Sequence, residues 1–265
     1  MTARRSQAQG PLAAFVLHQY DWSESSLIVE LFTRERGRVV VAAKGAKRPY
    51  SQMRAVLLPF QRIAVQLGKT PLDPANEVHT LRSAEWSGRL PMAGGAALFA
   101  GFYLNELLLK LLARQDAHTQ LFDAYADTLG ALSTCDEAAT QSARQSALRA
   151  FELLLLRELG WLPDLSIVTQ TAQSVRAAQH YTLHEESGLV EADIGGVRGD
   201  AWVAIEAALA HGSLVALRQC TAGIVAALRA PLRGVLHYHL GGSPLRTRRV
   251  MHDMNKLLDA EVVKT

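Results

Sequence analysis

Cysteine is nearly missing: Cys135 and Cys220 are the only two in 265 residues, far apart and without a second thiol at ligand spacing. That pattern excludes a disulfide framework and a thiolate zinc site. Met1 to Gly10 is polar, holds Arg4 and Arg5 and leads into no apolar h-region, so no secretory signal is readable and a cytoplasmic protein is expected. Long apolar runs are scarce too. The best candidate, Ala93 to Ala113, is interrupted by Asn105, Glu106 and Lys110 and loosened by Gly94, Gly95 and Gly101, which suits a buried bundle helix better than a membrane span. Glu106 and Lys110 stand at i,i+4 in the favourable order.

Catalytic signatures are equally thin. Gly68-Lys69-Thr70 imitates the end of a phosphate-binding loop, but Ile63 holds the first glycine position and Pro71 follows where a helix should start. No G-x-S-x-G elbow anchors a nucleophilic serine. His237 and His239, two apart on an expected helix, point to different sides and do not converge on a metal. The acidic residues form no H-E-x-x-H or D-x-D cluster. No cofactor is expected, and a binding function fits better than an enzyme.

What is present is bulk and segregated charge. A hydrophobic content of 49% over this length can bury a full core, and two domains are expected. The formal charge of +3 hides an uneven distribution: 13 Lys/Arg against 7 Asp/Glu up to Arg89, 8 against 15 from Leu90 to Leu228, and 7 against 3 thereafter. Basic ends around an acidic middle point to a polyanionic partner.

The first third reads as strands, at Leu12 to Tyr20, Ser26 to Thr33, Gly37 to Lys44, Gln61 to Gly68 and Glu77 to Trp86, each short, apolar and bounded by turn residues. Five strands in that length fit a small closed barrel, an OB-fold being the common answer, although the same periodicity suits an SH3-like barrel. After Pro91 the period becomes helical: Ala96 to Ala113, Thr119 to Leu132, and Ala138 to Leu159 stopped by Gly160. Within Pro163 to Gly199, His180 to Leu183 and Gly188 to Glu191 are expected to pair as a small hairpin. Helices resume over Asp200 to His211 and Leu214 to Leu240, the latter with a bend at Pro231. Gly241-Gly242 ends it, and Pro244 opens a last helix whose stripe is Val250, Met251, Met254, Leu257 and Leu258. The fold class is therefore α+β, with strands first and helices after.

The densest basic run is Arg34, Arg36, Arg38, Lys44, Lys47, Arg48 and Arg54, opposed only by Glu35. Arg36 and Arg38 are expected on one strand face, with the following cations on a Gly/Pro loop. Such an array would neutralise several phosphates and release counterions, without reading bases. Tyr50 in the same loop is a stacking candidate, Trp22 a weaker one, and Phe32 is expected in the barrel core. Arg82 on the fifth strand extends the surface. Arg246, Arg248 and Arg249 crowd the first turn of the last helix, where the helix dipole disfavours cations unless an anion is near, and they are candidates for a second DNA contact.

These residues also resemble a known family, the bacterial recombination mediators called RecO. The likeness runs through Phe15-Val-Leu-His18, Trp22-Ser-Glu24, Ser26-Leu27, Gly37-Arg38, Ala43-Lys44-Gly45-Ala46 and Thr80-Leu-Arg-Ser-Ala-Glu85. It continues in Tyr103-Leu-Asn-Glu-Leu107, Leu148-Arg149, Phe151-Glu152, Leu159-Gly160, Leu240-Gly-Gly-Ser-Pro-Leu245 and Arg248. No single motif decides it; their order and spacing do. The resemblance implies an OB-fold over residues 1–88 and a helical domain over 89–265, in which 163–199 is a small insertion or hairpin. Some relatives carry a four-cysteine zinc motif there, whereas Pro163 to Tyr181 holds no cysteine, so a zinc-free knob is expected. It further implies a non-enzymatic protein that binds single- and double-stranded DNA and anneals complementary strands. The implied partners are RecR and the acidic C-terminal tail of single-strand binding protein, in helping RecA onto coated DNA. For that tail the residue chosen is Arg149, which with Leu153 and Leu156 falls at i, i+4 and i+7; the same arginine equally suits an internal ion pair. The rival readings are a generic single-stranded nucleic-acid-binding OB protein, for DNA or RNA, and more remotely a nuclease or NTPase.

Overall fold

The structure, a computed structural model, describes residues 10–73, 77–88, 94–133 and 139–250. Strands β1 (Leu12–Asp21), β2 (Leu27–Thr33) and β3 (Gly37–Ala43) form an antiparallel meander. A short helix α1 (Gln52–Val56) then leads into β4 (Arg62–Asp73) and β5 (Val78–Trp86). The sheet closes in the order β1-β2-β3-β5-β4, through a parallel β3–β5 pair and an antiparallel β1–β4 pair. A simple meander could not close this way, and the circuit with α1 between β3 and β4 is the OB-fold.

Period-2 alternation supplies the interior: Ala14, Val16, Val29, Leu31, Val39, Val41, Ala43, Ile63, Val65 and Leu81 all point inward and are buried. Each fully buried aliphatic side chain stabilises the fold by about 1.5–3 kcal/mol relative to exposure. A bulge between Val16 and His18 turns the pattern of β1, so that Leu17 is the extra residue and His18 lies opposite Glu30. Phe15 and Phe32 are buried but not in this interior: both pack under Phe122, at 5.2 and 5.4 Å between ring centroids. Phe32, expected in the barrel core, therefore roofs the outside of the barrel.

By compactness the chain divides into two units, residues 1–91 with 112–122, and residues 92–111 with 123–265. The returning segment 112–122 straps the barrel at the β2–β3 hairpin. The amide of Gln115 donates to the carbonyl of Arg38 at 2.9 Å, and Thr119 Oγ1 donates to the carbonyl of Arg34. Gly37, at φ +64°, sits so close beneath the strap that a Cβ there would stand 1.6 Å from the Asp116 carbonyl oxygen.

The second unit holds α2 (Gly95–Leu111), most of α3 (Thr119–Ser133) and α4 (Ala139–Glu158). Helix α4 ends as its sequence indicates, with Gly160 at φ +72° and the Trp161 amide reaching back to the Leu156 carbonyl. A knob of short strands follows: β6 (Ile167–Val168), β7 (Gln173–Ser174), β8 (His180–His184), β9 (Gly188–Glu191) and β10 (Val197–Arg198). The hairpin foreseen here is β8–β9, with Thr182 opposite Val190. Then come α5 (Gly199–Ala210), α6 (Leu214–Ala222) and α7 (Val225–His239). The single helix expected from Leu214 to Leu240 is thus two, and the interruption falls at Gly223 and Ile224, not at Pro231, which α7 accommodates internally. A last helix, α8, begins at 246 and is described to 250; Val250 is exposed, and the rest of its foreseen apolar stripe lies outside the described residues.

Candidate nucleic-acid interface

The seven-cation run does not converge on one place. Arg36 is not on β3 but in the hairpin turn before it, and seven residues of strand, roughly 20 Å, separate that turn from Lys44. At the hairpin end, Arg36 donates to Gln115 Oε1 at 2.8 Å and lies 3.4 Å from His79 Nε2. Burial, and then the Arg36 cation, hold the His79 imidazole below its ordinary pKa. Arg34 and Arg38 are half-buried beside the same strap. This end of the run is tied into the structure of the barrel.

The opposite end of β3 is open. Lys44, Arg48, Tyr50 and Arg54 are exposed, Tyr50 almost completely at 99%. The loop is braced from below, not splayed. Lys47 Nζ lies 3.0 Å from Asp21 Oδ1 and donates to the Ser23 carbonyl, its amide donates to the Ser25 carbonyl, and the Gly45 amide donates to Ser26 Oγ. These bonds hold the β3–α1 loop against the β1–β2 turn that carries Trp22, which is half exposed. Lys47 is therefore partly neutralised and acts as the brace, leaving Lys44 and Arg48 as the free ends.

Strand register completes the surface. Tyr20 pairs with Ile28, Ile28 with Ala42 and Ala42 with Thr80, so one outward row crosses four strands. Two residues past the Ala42–Thr80 pair lie Lys44 and the exposed Arg82, while α1, bearing Arg54, packs on β5. His18 and Tyr20 stand on the same outer face with rings 4.5 Å apart. Sequence reasoning missed Tyr20; the signal was the polar and aromatic alternation His18-Gln19-Tyr20, masked by the bulge at Leu17. Cations and exposed aromatics on one β-surface can neutralise phosphates and stack bases together.

The remaining candidates lie in the helical unit. Arg149 Nη1 is 2.7 Å from Glu152 Oε2, and its side chain is only 11% exposed. Tyr103 donates to the other carboxylate oxygen at 2.6 Å, and Arg248 lies over the Tyr103 ring, 5.4 Å from its centroid. Burial pushes the fully enclosed Glu152 carboxyl up, against the downward pull of Arg149. The anion sought for the crowded start of α8 is internal. Glu106 accepts from the amides of Arg246 and Thr247 at 2.8 and 2.9 Å and from Thr247 Oγ1, and it pairs with Lys110 at 3.3 Å. Burial alone would raise the Glu106 carboxyl, but these bonds outweigh it and hold it below the ordinary range. Arg246 and Arg249 are exposed; Arg248 is committed to Tyr103. Among the described residues no three His, Cys, Asp or Glu side chains gather as a metal site, and no helix is long and apolar enough to cross a membrane.

Fold and surface together define an OB-fold protein with a cationic, aromatic-bearing barrel edge and a helical second unit. The model of Recombination protein O N terminal matches residues 12–88 and that of Recombination protein O C terminal matches residues 93–249. A protein of Acidovorax ebreus named DNA repair protein RecO is 47% identical, over 97% of this chain and 100% of the relative. One of Variovorax paradoxus with the same name is 48% identical, over 92% of this chain and 96% of the relative. The chain belongs to the recombination protein O family, a family of DNA repair and recombination proteins.

Proposed function

We propose that this chain is a non-catalytic recombination mediator, working in the cytoplasm at the nucleoid. In this reading it binds single- and double-stranded DNA at the barrel edge, anneals complementary strands and, with RecR, helps RecA onto DNA coated with single-strand binding protein. One observation carries the DNA part: the bracing of the β3–α1 loop against the Trp22 turn, beside the β3–β5 pairing that brings Arg82 next to Lys44, which gathers exposed cations near Tyr20 and Trp22. The partners rest on family membership. The contact to the acidic tail of single-strand binding protein is proposed at α4, with the condition that Arg149 already faces Glu152. The deciding experiment is annealing of complementary strands coated with single-strand binding protein. Annealing without nucleotide is expected; tight DNA binding with no annealing would leave only a generic OB-fold binder.

A further inference from the structure

Between Ala207 and His252 there is no Asp or Glu, while Arg218, Arg229, Arg233, Arg246, Arg248 and Arg249 all fall there. Helix α7 organises part of this charge. Leu228, Leu232, Val235 and Leu236 bury one face, and Arg229, Arg233 and His237, at i, i+4 and i+8, occupy the exposed one. Four residues advance a helix by about 6 Å, so the ladder is roughly 12 Å long. Positions about 6 Å apart along the helix can follow successive phosphates of one strand. Neither Arg229 nor Arg233 has an ion-pair partner among the described residues. The carboxylate of Glu185 stands over Gly234, 3.3 Å from where a Cβ would be, and leaves the face with a net positive charge.

The C-terminal end of α7 carries aromatics. Trp161 stacks on His239 with centroids 4.1 Å apart and planes within 5°, and Tyr238, half exposed, meets His239 edge-on at 5.3 Å. A merely solvated helix face would be expected to intersperse acids at i±4. Here α7 itself carries no acid: Arg229, Arg233 and His237 line the ladder, Glu185 of the knob stands beside it, and Tyr238 projects from another side of the helix.

We infer that the exposed face of α7, from Arg229 to His237, is a second single-strand contact, the ladder following phosphates. This rests on the nucleic-acid reading of the barrel and adds to it: an annealing protein must hold two strands, and the chain then carries one strand-binding surface on each unit. The test compares Arg229→Glu/Arg233→Glu, Arg229→Lys/Arg233→Lys and a barrel variant, Lys44→Glu/Arg48→Glu, all in the full chain and with melting temperatures checked. Labelled oligo-dT serves as the binding probe, and complementary strands serve for annealing.

The α7 reversal is expected to make the salt slope of binding shallower by about two, and to reduce annealing more than single-strand affinity. The lysine variant should keep the slope. Wild-type slope and annealing in the α7 reversal, with losses confined to the barrel variant, would overturn the inference. Losses in the α7 reversal alone would sustain it and remove the barrel reading instead. A defect only on DNA coated with single-strand binding protein would mean a protein partner for α7, and the inference would fall.

Discussion

Arg149 shows how much a neighbour decides about a residue. With its guanidinium 2.7 Å from a fully buried Glu152, removing it strands an enclosed carboxylate, and breaking such a pair costs about 3–5 kcal/mol. Arg149→Ala is expected to lower the melting temperature. Peptide titration with the tail of single-strand binding protein, beside thermal melting, separates the roles: an unchanged dissociation constant for the folded fraction removes Arg149 from the tail site. Glu106 has a definite pH signature. Its folded carboxyl is held below the ordinary range, so its contribution is complete above an unfolded value of about 4.3 and is lost as pH falls through the folded value. Glu152, pushed up by burial, works in the opposite sense, favouring the fold at low pH and losing that contribution as pH rises through its folded value. Glu106→Gln should therefore lower stability at neutral pH by about 1–3 kcal/mol and flatten the acid limb of a melting-temperature profile. An acid limb identical to that of the native chain would show that the carboxylate does not hold the start of α8.

At the scale of elements, the β3–α1 loop and the strap over the β2–β3 hairpin behave differently. Charge reversal of Lys44, Lys47 and Arg48 is expected to weaken binding to all DNA sequences alike and to make the salt slope shallower by roughly one per lost phosphate contact. Because Lys47 braces the loop through Asp21 and Ser23, its single reversal should also loosen the Trp22 turn, seen as altered tryptophan fluorescence. The strap depends on Gly37. A side chain there meets backbone at 1.6 Å and a left-handed φ, so Gly37→Ala must displace residues 115–117 or the hairpin. Strain alone of this kind costs roughly 1–3 kcal/mol. A melting temperature within a degree of the native one would refute the close approach.

For the whole molecule, the knob between α4 and α5 holds itself by packing and hydrogen bonds. Trp202 Nε1 donates to the Tyr181 carbonyl, Tyr181 Oη accepts from the Arg176 amide, and Glu206 takes both the Leu165 amide and the Arg157 guanidinium. Those contacts tie the knob together through its own side chains and backbone. Prolonged chelator treatment should leave the melting temperature unchanged, whereas Trp202→Ala, which empties a fully buried site, should cost about 3–5 kcal/mol. A chelator-induced drop would reveal a metal that the described side chains do not account for.

Much of this was legible in the chain. Five strands, the stop at Gly160, the hairpin at residues 180–191 and the exposed loop from Lys44 follow from period, β-branching and glycine, which act over a few residues and read alike in any context. Three matters were settled by tertiary structure alone. The parallel β3–β5 pair chose the OB circuit over an SH3-like one and brought Arg82 to Lys44; β3 itself carried Arg34 and Arg36 to the far end; and the strap covered the outward-facing Phe32 with Phe122. Each depends on residues distant in sequence that meet only when the barrel closes. The same holds for the anion at α8. A helix start crowded with arginines announces that it needs negative charge, but only the packing of α2 could place Glu106 there, 140 residues away in the chain.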